Sequence, residues 1–239
     1  MTAFVSLRKP LLALPHNDND RFESFEVPEL NVFLADYQNS HNYRSWVWHP
    51  ALSQMLPDDL IAALRGLDTM TAFLHTSPTL SKYDILVYDR KRARLQHQLA
   101  SVAILSCECD AYGTVGSCRI AAILYSIFAL WGFTPPLKII GDLAQMLQRA
   151  LQTSKDGNWA IWSDILLWTL FIGGYAAFQR QERLWFLTVI QYTLQSRNLT
   201  TWYAVREALD TMPVHHSLWD PFEVLWREAK TVVLEKGNI

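Results

Sequence analysis

Residues 159–178 carry a single charged side chain, Asp164, in twenty positions, and the rest are aliphatic, aromatic or small. A helix that is apolar on every side must be enclosed on every side, by other helices or by lipid. Twenty residues are enough to cross a bilayer. An acidic side chain well inside lipid costs about 2.5–3.5 kcal/mol on the insertion scale, and the mean hydropathy of the chain is only +0.03. Residues 120–133 are also apolar, but that stretch is short for a span. The expectation is therefore a central buried helix with no membrane span; attachment through residues 159–178 is the weighed alternative.

A buried helix needs amphipathic helices around it, and the spacing of apolar residues supplies them. Pro57 suits a first helical turn, with Asp58 and Asp59 where the helix dipole favours negative charge. Leu60, Leu64, Leu67 and Thr71 then share a face. A helix from about Tyr88 carries Leu95, Leu99 and Val102 on one side. Residues 111–117 hold two glycines and read as a loop, followed by a buried helix over 118–131. Over 137–152, Ile140, Leu143, Leu147 and Leu151 recur at helical intervals. The helix over 159–178 is expected to break near Gly173-Gly174. Another spans 182–195, with Leu184, Leu187, Ile190 and Leu194 inward. Thr201 caps a short helix that ends before Pro213, and Asp220-Pro221-Phe222-Glu223 combines an N-cap acid, a first-turn proline and a glutamate three residues on. Leu30, Phe33, Leu34 and Tyr37 have helical spacing, while residues 1–28 mix Pro, Asn and Asp irregularly. No strand pair is signalled. The reading is an all-α, single multi-helix globular domain of about eight or nine helices over 29–235, after an irregular lead-in over 1–28.

The net charge of −2 disfavours a nucleic-acid surface over the whole domain. Three cysteines, Cys107, Cys109 and Cys118, fit a reducing compartment. Arg8 and Lys9 precede only the short apolar stretch 11–14 before Pro15, unlike a secretory leader.

Motifs that carry chemistry are sparse. There is no glycine-rich phosphate loop, no G-x-S-x-G and no H-E-x-x-H. His215-His216 is the one histidine pair; neighbours on a helix point in different directions, so the pair reads as a solvated loop rather than a metal clamp. Asp18, Asp20 and Glu23 lack the spacing of a magnesium or calcium site. Arg90, Lys91, Arg92 and Arg94 form a nuclear import signal, a phosphate-contacting strip or, as the simpler reading, the polar face of the helix carrying Leu95 and Leu99. Glu182 and Arg183 stand beside Trp185-Phe186, with no nucleophile or base identified nearby, and read as charges that tie helices together. No catalytic, cofactor or metal residue is expected, and no enzyme activity.

One resemblance runs through residues 90–230. Cys118-Arg119-Ile120-Ala121-Ala122-Ile123-Leu124-Tyr125 is followed by Leu166-Leu167-Trp168-Thr169-Leu170-Phe171-Ile172-Gly173-Gly174-Tyr175-Ala176-Ala177, and then by Glu182-Arg183-Leu184-Trp185-Phe186. Trp202, Val205, Arg206 and Leu209, and finally Leu225, Trp226 and Glu228, complete the series. In that order the five pieces resemble the fungal-specific transcription factor domain. The resemblance implies an all-α regulatory domain, with Trp168, Gly173, Gly174, Glu182, Arg183, Trp185 and Trp226 as its structural motif.

Regulators of that family typically carry a six-cysteine zinc cluster; three cysteines cannot build one, and none lies in the first 100 residues. The chain thus fits a free-standing relative or a piece of a longer regulator. Direct DNA binding by this chain alone is not expected. The expected role is a nuclear (or cytoplasmic) regulatory module that takes a protein partner of the transcription machinery or a small-molecule effector. The weighed alternatives are an apolar-ligand binding module and an all-α enzyme.

Overall fold

The computed structural model describes residues 56–76, 82–101, 113–130, 137–154 and 163–232. These residues form eight α-helices and no strands. They are α1 (Asp58–Thr76), α2 (Lys82–Ser101), α3 (Thr114–Tyr125), α4 (Leu137–Thr153), α5 (Ser163–Ala176), α6 (Glu182–Ser196), α7 (Trp202–Leu209) and α8 (Trp219–Thr231). A π-helical turn, Ser126–Leu130, extends α3, and a 3-10 turn, His216–Leu218, leads into α8. The lead-in over 1–28, the apolar residues 30–37, the acidic group Asp18, Asp20 and Glu23, and Cys107, Cys109 and Val102 all lie outside the described residues.

Helix α5 is the centre. It touches α3, α4, α6, α7 and α8, and Leu167, Trp168, Leu170, Phe171 and Ile172 are fully buried. Its 14 residues span about 21 Å at 1.5 Å each, short of the roughly 30 Å of a bilayer core. No helix among the described residues is long and apolar enough to cross a membrane. Asp164 stands in the first turn of α5, where it meets the helix's positive end and pairs with Arg197 beyond α6. Arg197 also donates to the Ser163 carbonyl at 2.9 Å.

The expected break at Gly173-Gly174 does not occur: α5 runs through both to Ala176. The glycines serve packing instead. A Cβ on Gly173 would overlap the Phe186 ring and come within 2.9 Å of Leu147 Cδ2; one on Gly174 would come within 2.9 Å of Leu225 Cδ2. Missing side chains here let α4, α6 and α8 close on α5. Gln179, with φ of 58°, then turns the chain into α6.

Two more boundaries and one expected inward residue differ from the sequence reading. Helix α3 begins at Thr114 inside the expected loop; Ser117 Oγ and its N–H both bond to the Gly113 carbonyl, which starts the helix. Helix α8 begins at Trp219, with Leu218 rather than Asp220 at the cap, because the 3-10 turn feeds directly into it. Leu184 is exposed, because the Phe186, Leu187, Ile190 and Leu194 stripe takes the inner face of α6. The expected cap at Thr201 is present, accepting from the Ala204 N–H at 3.2 Å.

Helices α1 and α2 pair with each other and lie against α3. Leu60, Leu64, Leu67 and Thr71 are buried on one face of α1, and Leu95 and Leu99 on α2. A polar thread crosses this core. Thr71 donates or accepts at 2.7 Å with the Tyr125 hydroxyl, and the Tyr125 ring lies 5.7 Å from Trp168. Trp168 Nε1 in turn donates to the Pro213 carbonyl at 2.9 Å. Burial pushes the Tyr125 phenol well above its ordinary range, so it stays a neutral hydrogen-bonding group.

Candidate functional sites

Of the residues singled out by sequence, Gly173, Gly174 and Arg183 meet at the C-terminal end of α5. A helix leaves its last carbonyls without intrahelical partners. The Phe178 N–H turns to the Tyr175 carbonyl, so the Gly174 carbonyl is free of that bond. Arg183 of α6 fills the place: its Nη1 donates to Gly174 O at 2.9 Å. The same guanidinium donates through Nε and Nη2 to Glu228 Oε2 of α8, at 2.9 and 2.7 Å, and lies 5.2 Å from the centre of the Phe178 ring. One planar fork thus joins α5, α6 and α8.

Glu182 works separately. It accepts from Gln145 of α4 at 3.3 Å and from Arg180 Nε at 3.3 Å. Arg180 lies over Gly141 of α4, where any Cβ would overlap its guanidinium. The two charges therefore tie helices together, each through its own partner. Trp185 is half-buried beside Phe186, with ring centres 5.0 Å apart. Trp226 lies tilted against Trp202, with ring centres 5.9 Å apart, under Lys230 Nζ at 4.8 Å. Its buried Nε1 has no hydrogen-bond partner among the described residues.

The basic run lies on α2. Arg90 and Arg94 are exposed, whereas Arg92 pairs with Asp89 at 2.9 Å and reaches the Leu130 carbonyl at 3.4 Å. Partial burial and Arg94 lower the Lys91 pKa. Cys118 is fully buried, and burial raises its thiol to about 12, which makes it a packing residue rather than a nucleophile.

The third constellation was not visible in sequence. His75, in the last turn of α1, meets His215 and His216, and one ring nitrogen from each lies within 4.8 Å of the others. The His216 N–H donates to His75 Nε2 at 3.2 Å. His215 Nδ1 faces Ser217 Oγ at 2.8 Å and accepts from the Ser217 N–H, capping the 3-10 turn. Desolvation first, then the neighbouring His216 and His75, pull His215 down to about 4. His75 is lowered by desolvation and by His216, with Asp210 opposing. The pair sits in the exposed turn that the loop reading expected, and a third histidine faces it there. Its signal was hidden by sequence distance, since His75 lies 141 positions from His216.

No protein family, no curated protein and no solved structure matches this chain.

Two outcomes test these arrangements. Arg183→Ala is expected to destabilise the fold by about 1–3 kcal/mol, chiefly through the unpartnered Gly174 carbonyl. The ion pair adds less, because the Glu228 side chain is 38% exposed. Arg183→Lys should recover only part of the loss, lacking the fork. Urea unfolding measures both, and an unchanged midpoint for the alanine variant would contradict the role. The histidines set a pH dependence. The folded pKa values of His75 and His215 are depressed, so the unfolded chain binds protons first and stability falls as pH falls. The contribution is complete above about 6.5 and is lost as pH drops toward His215's value of about 4. His215→Asn, which keeps a capping acceptor, should flatten the urea midpoint across that window.

Proposed function

We propose that this chain is a regulatory or interaction domain of the transcription-regulator type, without a DNA-binding zinc cluster of its own. The observation that carries the reading is the ordered series of five motif pieces from Cys118 to Glu228. Its most distinctive members fall on structural joints. Trp168 holds Pro213, the glycines admit neighbouring helices, and Arg183 and Glu228 clasp α5, α6 and α8. A domain whose signature is architectural presents its function on its surface, to a protein partner or a small-molecule effector. Nuclear location is part of this proposal, with the exposed Arg90 and Arg94 as the side chains an import receptor would grip.

The test is a tethering assay with the full chain fused to an unrelated DNA-binding domain. Reporter transcription from the cognate promoter is expected to differ from that with the DNA-binding domain alone. A stably expressed, promoter-bound fusion that leaves transcription unchanged would overturn the proposal.

A further inference from the structure

We infer that His75, His215 and His216 form a binding site for one divalent transition-metal ion of the zinc class. The inference stands apart from the regulatory reading and rests on different residues.

Three imidazoles with convergent nitrogens are a donor set suited to zinc, copper or nickel, and three protein nitrogens on zinc leave a fourth position for water or another group. Zn–N bonds of about 2.0–2.1 Å put nitrogens of a tetrahedral site about 3.3 Å apart. The observed separations within 4.8 Å thus need a closing movement on the order of 1–1.5 Å. His75 and His216 are exposed and His215 half-buried, so torsions of the side chains can supply it without moving the core.

The backbone carrying the ligands is held in place. Met212 and Val214 are buried, and Pro213 between them accepts the Trp168 Nε1–H. The Tyr125 hydroxyl lies close to the His215 main chain. The segment is therefore anchored to α3 and α5 on its inner side and offers two imidazoles on its outer side. Opposite stands the last turn of α1, whose carbonyl end favours a cation. Asp210 adds negative charge near His75. Neutral imidazole is the form that ligates metal. A bound ion would clip the end of α1 to the connection between α7 and α8, and its loss would release that link.

The experiment uses the full chain after chelator treatment, titrated with Zn2+ by calorimetry and with Co2+ as a spectroscopic substitute. The expected result is one saturable site per chain. His75→Ala and His216→Ala should each weaken it by at least about tenfold, as even outer-shell changes at metal sites do. His97→Ala, on the exposed side of α2, should leave it intact. Absence of saturable binding would overturn the inference, as would binding undiminished in the double variant. Should an alanine variant fail to fold, the wild-type Co2+ spectrum decides. A nitrogen ligand field without thiolate charge transfer supports the site, whereas a thiolate band places the ion on cysteine sulfur and refutes it.

Discussion

The rest of this structure depends on enclosing one helix that has no polar side. Along α5 the apolar side chains leave no face that water could wet, so five other helices must surround it. The enclosure accounts for the arrangement of the described residues. Residues 173 and 174 carry no side chain because three helices crowd that end, and the single acid, Asp164, is displaced to the first turn, where the helix dipole and Arg197 both accept it. Within the segment that sequence alone allowed to lie in lipid, Leu167 to Ile172 are instead buried among protein helices.

Enclosing a helix this way creates a problem at its C-terminal end, where carbonyls face neighbouring helices rather than solvent. Arg183 answers it by donating to Gly174 O while binding Glu228, so one side chain both completes the helix end and locks two neighbours against it. The same logic operates at α5's middle, where the Trp168 indole N–H needs a partner and finds the Pro213 carbonyl. That bond holds the chain just before His215. A demand of the core thus positions the histidines on the surface, which links the architectural half of the molecule to its most chemically distinctive feature.

Much of this was legible in the sequence. Helical periodicity identified the inner faces of α1 and α4, because amphipathic helices repeat their burial every three to four residues. Thr201 announced its helix through local capping chemistry. Misreadings arose where tertiary packing overrides local rules. Two adjacent glycines ordinarily break a helix, yet Phe186, Leu147 and Leu225 occupy the space a Cβ would need. Asp220 looked like a cap, but the His215-capped turn starts α8 earlier. The meeting of His75 with His215 and His216 could not be read locally, since it depends on how α1 packs beside the α7–α8 connection.

The most direct test of this account is native-state hydrogen exchange on the whole chain. If enclosure of α5 is the organising constraint, its amides from Leu167 to Ile172 open only when the entire domain unfolds, with protection equal to the global unfolding free energy. The partly exposed α2, where Ile85 and Leu86 face solvent, should exchange through cheaper local openings. Exchange in α5 that is as fast as in α2, or that leaves global stability untouched, would contradict the claim that the fold is built around that helix.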